Sequence, residues 1–81
     1  MSESVPTPTE LREILVTILT GAAGGTEAEW RAALGEVEKL PLATNVRSNW
    51  AVTPKGDGLK LETIERAVAV VRAAHPYVVG G

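Results

Sequence analysis

The chain has 81 residues, with ten acidic and eight basic side chains, one histidine and no cysteine. This length allows one small domain and no second core. Hydrophobic residues make up 44% of the chain and charged residues 22%, which is a globular composition. The formal net charge of -2 argues against a protein whose main task is to neutralise phosphates. A chain without cysteine has no disulfide, thiolate metal site or cysteine nucleophile.

The sequence shows no targeting segment. Residues 1–9 are polar and contain proline, without the basic start and apolar core of a secretory signal. The longest strongly apolar run, Ile14 to Leu19, is too short to cross a bilayer. We therefore expect a cytoplasmic protein that does not bind membranes.

The first predicted element is a helix that begins after Thr7. Thr7 suits the N-cap, Pro8 the first helical position and Glu10 the return bond of a capping box. Apolar residues then recur at helical spacing, namely Leu11, Ile14, Leu15, Ile18 and Leu19. Gly21 predicts the end of this helix, with a loop over residues 21–25. Residues 1–6 are predicted to form a flexible tail.

A second helix is predicted after Thr26, where Thr26 and Glu29 repeat the capping-box pattern. It is expected to continue to about Lys39, with Pro41 ending it. Its inward face would hold Trp30, Ala33, Leu34, Val37 and Leu40. Gly35 is a weak point within this helix and costs about 1 kcal/mol relative to alanine.

Residues 42–61 have the pattern of a β-hairpin. Alternate positions hold Val46, Ser48, Trp50 and Val52, which is the period of a half-buried strand. Residues 54–58 are rich in turn formers, and Leu59 to Leu61 is a short candidate return strand. We therefore predict a hairpin over residues 46–61.

The last predicted helix runs from about Glu62 to Ala74 and ends before Pro76. One face holds Ile64, Ala67, Val68, Val71 and Ala74, and Val70 with Ala69 widens the apolar surface. The expected fold class is α+β: two N-terminal helices, a β-hairpin and a C-terminal helix (ααββα). This single domain is expected to span residues 7–79, followed by a flexible diglycine end at residues 80–81.

No motif in the sequence indicates an enzyme. The single histidine, His75, is placed at a predicted helix end, where it suits the helix dipole, and no nucleophile is spaced to use it. The glycines at residues 21–25 lie between two helices and lack a following Gly-Lys-Ser/Thr motif. We therefore expect no catalytic residue, no metal and no cofactor.

The most plausible function is a non-enzymatic one. The predicted hairpin carries Arg47 and Asn49 on the face opposite Trp50, and such a face is either solvated or pairs with a partner. Trp30 and Trp50 are predicted to pack in the core, although an exposed tryptophan would anchor an interface. We expect an adaptor, regulator or inhibitor that binds a partner protein, or a homodimer. The candidate partner-binding residues are Arg47, Asn49, Trp50 and Val70.

An alternative is a winged-helix-like nucleic-acid binder that uses Arg47, Lys55 and Lys60 on the hairpin. The preceding helix argues against it, because a recognition helix so rich in acidic residues would be repelled by phosphates: Glu27, Glu29, Glu36 and Glu38.

The C-terminal Gly80-Gly81 resembles the tail of sulfur-carrier and ubiquitin-like proteins. That resemblance implies a carrier or modifier whose terminal carboxylate is adenylated and then conjugated or thiolated. It covers these two residues alone, and the ubiquitin-like fold begins with a β-hairpin, whereas two helices are predicted here. The other interpretation is a flexible end without function.

Overall fold

The computed structural model describes residues 5–44 and 46–79. It confirms the α+β class and the predicted order of helix, helix, strand, strand and helix. The elements are α1 (Pro8–Ala23), α2 (Glu27–Leu34), β1 (Val37–Lys39), β2 (Trp50–Val52) and α3 (Gly58–Ala74). No helix in these two segments is both long and apolar enough to cross a membrane.

Helix α1 begins as predicted. The Thr7 hydroxyl accepts a hydrogen bond from the Glu10 N–H at 3.2 Å, and the Glu10 carboxylate accepts one from the Thr7 N–H at 2.9 Å. This reciprocal pair satisfies two N–H groups that the helix leaves without a partner. Its buried residues are Leu11, Leu15, Val16 and Leu19.

The predicted end of α1 at Gly21 is wrong. Gly21 lies inside the helix, which ends at the C-cap Gly24, with φ of 78° and ψ of -162°. A glycine ends a helix when the chain needs a conformation closed to other residues. That need arises at Gly24, three residues later.

The prediction of α2 through Lys39 is also wrong. The helix ends at Leu34 because Gly35 adopts φ of 72° and ψ of -152°, a region open essentially to glycine. The Gly35 N–H still bonds to the Arg31 carbonyl at 3.0 Å and closes the last turn. Beyond it the chain is extended, so Val37 to Lys39 forms a strand.

The sheet pairs different segments from those predicted. Strands β1 and β2 are antiparallel, with Val37 opposite Val52 and Lys39 opposite Trp50. The predicted return strand, Leu59 to Leu61, instead belongs to the first turn of α3. Asp57 decides this outcome, because its carboxylate accepts a hydrogen bond from the Lys60 N–H at 2.9 Å and caps the helix. The hairpin over residues 46–61 therefore does not form.

Helix α3 starts four residues earlier than predicted and ends at the predicted place, with His75 as the C-cap. Its buried face consists of Ile64, Ala67, Val68 and Val71. The prediction of this face is correct except for Ala74, which is exposed in the last turn.

A buried amide joins the C-terminal segment to the domain. Asn49 donates from Nδ2 to the Val78 carbonyl at 2.9 Å and accepts at Oδ1 from the Val78 N–H at 2.6 Å. Both residues are 2% exposed, so the prediction of an outward-facing Asn49 is wrong. Asn49 precedes β2, and its own N–H bonds to the Pro76 carbonyl, so strand alternation does not set its direction. The Val79 N–H in turn bonds to the carbonyl of Pro6, which is buried.

Gly21 and Gly35 provide a matched test of the helix ends. Gly35→Ala is expected to lower the free energy of unfolding by about 1–3 kcal/mol, because alanine is strained in that backbone region. Gly21→Ala is expected to raise it by about 1 kcal/mol, because alanine is the better helix former, and no atom lies within 4 Å of the new Cβ. Urea unfolding followed by circular dichroism measures both changes. A destabilised Gly21→Ala variant would contradict the helical placement of Gly21.

Asn49→Ala is expected to lower the free energy of unfolding by about 2–4 kcal/mol, because it leaves two buried backbone groups of Val78 without partners. The control is Thr53→Ala at a nearby exposed position, which should change stability by less than about 0.5 kcal/mol. Thermal and urea unfolding measure both variants. Equal effects of the two substitutions would show that the Asn49 amide is not required.

Candidate functional site

The structure separates the four predicted partner-binding residues into two pairs. Asn49 and Trp50 are buried, at 2% and 1% exposure. Arg47 is exposed in the segment between the strands, and Val70 is 63% exposed on α3. Only the second pair is placed where a partner can reach the side chain.

Both tryptophans face inward, as predicted. Trp30 is 6% exposed, and its indole N–H donates to the Gly24 carbonyl at 2.7 Å. The Trp50 indole N–H donates to the His75 carbonyl at 2.8 Å. Each ring therefore fills the core while its polar edge fixes the residue after a helix, and neither serves as an exposed anchor.

His75 contributes its backbone to the fold. Its N–H donates to the Val71 carbonyl at 2.6 Å and closes α3, and its carbonyl accepts the Trp50 bond. These backbone contacts place His75 at the end of α3, as predicted. Within the described segments, no three His, Asp or Glu side chains are grouped closely enough to hold a metal ion.

An apolar groove of about 380 Å³ lies between α1 and α3. Ile18, Ala22 and Ala23 form one wall, and Ala67 and Val70 form the other. Arg66 is the charged residue of its lining, and its guanidinium is paired with Glu62 at 2.9 Å. We call this feature the α1–α3 groove.

A second cleft, of about 450 Å³, lies beside β2 and has a different chemistry. It carries two arginines next to hydroxyl and apolar side chains, and the residues important here are Leu40, Val46, Arg47, Ser48, Trp50 and Arg72. Among the residues that the structure describes, no acidic one lines it. We call this feature the arginine cleft.

Arg72 is the functional candidate that the sequence analysis missed. Its Nε donates to the Ser48 hydroxyl at 3.1 Å and its Nη2 to the Trp50 carbonyl at 3.0 Å. The guanidinium also lies 4.4 Å from the centroid of the Trp50 ring, a cation–π distance. The partners of Arg72 are 22 and 24 residues away in the chain, so no local pattern links them.

The three residues of the nucleic-acid alternative do not share a hairpin. Arg47 follows β1, Lys55 follows β2, and Lys60 lies in α3 with its Nζ 5.8 Å from the centroid of the Trp30 ring. The wing required by that alternative was the hairpin over residues 46–61, which the structure replaces by a strand and a helix. The winged-helix alternative therefore loses the hairpin on which its geometry depended.

An ion-pair cluster ties α1 to α2. Arg31 donates from Nε to the Glu13 carboxylate at 3.0 Å and also pairs with Glu27 at 3.5 Å, the spacing predicted within α2. The hydrogen bond from Arg31 holds the pKa of Glu13 below its usual value, with smaller help from the charges of Arg31 and Arg12. The same bond raises the pKa of Arg31. These side chains are at least one third exposed, and the Arg31–Glu13 pair joins α1 to α2.

Comparison of the chain with protein-family models, curated proteins and solved structures finds no match. The candidate sites therefore depend on the geometry given above. Gly80 and Gly81, the basis of the carrier alternative, lie outside the described residues, as do residues 1–4 of the predicted tail.

Glu13 gives a test of the helix-linking cluster by pH. Because its pKa is lowered in the folded protein, the bond to Arg31 stabilises the fold above the usual carboxylate value of 4.5. This contribution is lost as the pH falls through the lowered pKa. Glu13→Gln should reduce the melting temperature at pH 7 and flatten its decline below pH 4.5.

The control is Glu65→Gln on α3, an exposed carboxylate outside the ion pairs found in the described segments. Its acid-side melting profile should follow that of the wild-type chain. Melting profiles from pH 2.5 to pH 7 would be recorded at low salt, where surface pairs are least screened. Parallel profiles for Glu13→Gln and wild type would show that the bond makes no net contribution.

Proposed function

We propose that this chain is a non-enzymatic protein-interaction domain whose α1–α3 groove binds a second copy of the chain. The observation that carries the proposal is Val70, which is 63% exposed beside an apolar groove in the middle of a folded helix. In this role the chain would act as a dimeric adaptor, regulator or inhibitor. The cysteine-free composition suits the cytoplasmic location that forms part of this proposal.

The apolar character of the groove favours association. Complete burial of a valine contributes about 1.5–3 kcal/mol, so covering the exposed part of Val70 supplies a useful fraction of that energy. The alanines of α1 add apolar area without long side chains, and two helices can therefore approach closely. A two-fold symmetric contact gains each such term twice.

The charges at the groove favour a second copy over a partner of one sign. Arg66 and Glu62 form an ion pair along its side, so the surface presents a positive and a negative group together. In a two-fold arrangement the Arg66 of one copy can approach the Glu62 of the other without bringing like charges together. A small domain with a thin core also gains more from a shared core than a large one does.

Val70→Asp tests this function. The carboxylate would have to be desolvated against apolar surface, so the dissociation constant of the dimer should rise at least about tenfold, or 1.4 kcal/mol. The monomer should stay folded, because the position is mostly exposed. Sedimentation velocity over a concentration series measures the association, and circular dichroism checks the fold.

The matched control is Leu59→Asp, an equally conspicuous apolar residue of the same helix, 76% exposed and outside the groove lining. It should leave the dissociation constant unchanged. A wild-type chain that stays monomeric in the millimolar range contradicts the second copy as occupant. An unfolded Val70→Asp monomer would show instead that this face belongs to the core.

A further inference from the structure

We propose that the arginine cleft binds the carboxylate of a peptide, either a chain terminus or an Asp or Glu side chain, with an apolar side chain beside it. This site is separate from the α1–α3 groove and does not depend on the proposed dimer.

Arg72 is held in place before any ligand arrives. Hydrogen bonds to the Ser48 hydroxyl and to the Trp50 carbonyl hold one edge of its guanidinium, which also lies 4.4 Å from the centroid of the Trp50 ring. A flexible surface arginine loses rotamer freedom when it binds, and much of that loss is already incurred here by the fold. Such a preorganised cation binds an anion at lower entropic cost.

The contacts within the fold leave one edge of the guanidinium unused. Nε and Nη2 donate to protein acceptors, whereas Nη1 makes no hydrogen bond to a described residue. An arginine has five N–H donors in one plane. The outer edge, formed by Nη1 and the second hydrogen of Nη2, therefore keeps the two parallel donors that match a carboxylate.

The two arginines of the cleft are not neutralised by ion pairs with described residues. In residues 5–44 and 46–79 the ion pairs use Arg31 and Arg66, and neither Arg47 nor Arg72 takes part in one. No carboxylate among these residues lines the cleft. Two arginines on one cleft repel each other when it is empty, and a bound anion relieves that repulsion. Charge complementarity therefore selects an anionic ligand.

The walls next to the arginines select a peptide over a polyanion. Leu40 and Val46 line the same cleft, and Val46 is 71% exposed, so an apolar group beside the carboxylate has a surface to cover. Its volume of about 450 Å³ is within the usual range of ligand sites, near 300–1,000 Å³. A nucleic acid would need a row of cations along its backbone, and the cleft has two.

The test is a titration followed by amide and arginine side-chain NMR of the full chain. Two probes carry the carboxylate in different ways: acetyl-Ala-Leu with a free C-terminus, and acetyl-Leu-Glu-amide. We expect saturable shifts at the Arg72 Nε–H and the Ser48 amide with one or both probes. The probe that binds more tightly identifies the terminus or the side chain as the source. Acetyl-Ala-Leu-amide, which lacks the carboxylate, should cause no such shifts.

Arg47→Met is the decisive variant because Arg47 is exposed and forms no ion pair with a described residue. It should weaken binding of the carboxylate probe about tenfold, the usual effect of losing a charge-assisted hydrogen bond. Lys55→Met, which removes an exposed cation outside both the arginine cleft and the α1–α3 groove, should leave the affinity unchanged. Arg72→Lys provides a second variant, with its fold checked by circular dichroism.

Four results would overturn the proposal. The first is the absence of saturable shifts with both carboxylate probes, and the second is equal binding of the amide probe. The third is an Arg47→Met variant that binds like the wild type. The fourth is inorganic phosphate binding the same residues more tightly than either probe, which would assign the cleft to phosphate groups. None of these results bears on dimerisation through Val70, which sedimentation measures separately.

Discussion

The position of Trp50 is the constraint on which the rest of this structure depends. The residue is 1% exposed, begins β2 and reaches across the core, so that its indole N–H bonds to the His75 carbonyl. That bond fixes the end of α3 against the sheet. The guanidinium of Arg72 lies over the Trp50 ring, so the position of this buried residue also sets the position of Arg72. A tryptophan buries about 150–250 Å², so a domain of this size has few comparable sources of apolar burial.

A second set of hydrogen bonds, next to Trp50, joins the C-terminal segment to the domain. Asn49 is the preceding residue, and its amide gives the Val78 backbone both a donor and an acceptor. Val78 becomes a core residue although it follows the last helix by four positions. The next residue bonds to Pro6, so the two ends of the described chain meet at this point. The strand, the C-terminal segment and the entry to α1 are thus joined through two consecutive side chains.

Local interactions made the starts of α1 and α2 predictable from the sequence. Thr7 and Glu10 act within four residues of each other, and so the capping box needs no tertiary information. The helix ends were harder to predict, because a glycine such as Gly21 or Gly35 can either end a helix or lie within one. The prediction ended a helix at Gly21 and continued one through Gly35, whereas the structure does the reverse. Glycine permits a positive φ but does not require it, and tertiary packing decides.

Strand pairing could not be derived in the same way. Strands of three residues have too short a pattern to specify a partner. Strand β1 was also missed because Val37 fits the apolar spacing of the predicted second helix. The prediction took Asp57 as part of a turn and missed its role as the N-cap of α3, and it therefore placed Leu59 in a strand. Errors of this kind explain why the candidate site was only partly predictable. Val70 and Arg47 are exposed as expected, but Arg72 acquires its importance from residues far away in the chain.

The geometry of α3 explains how one helix supports two different surfaces. Successive residues of an α-helix are rotated by about 100°, so Val70 and Arg72 point roughly 200° apart, with Val71 between them. Val71 is 2% exposed and faces the core, Val70 lines the α1–α3 groove, and Arg72 lines the arginine cleft. The α1–α3 groove and the arginine cleft therefore lie on opposite sides of the buried face of α3. A ligand bound at one of these surfaces leaves the other accessible. The position of each surface depends on how α3 packs against the core.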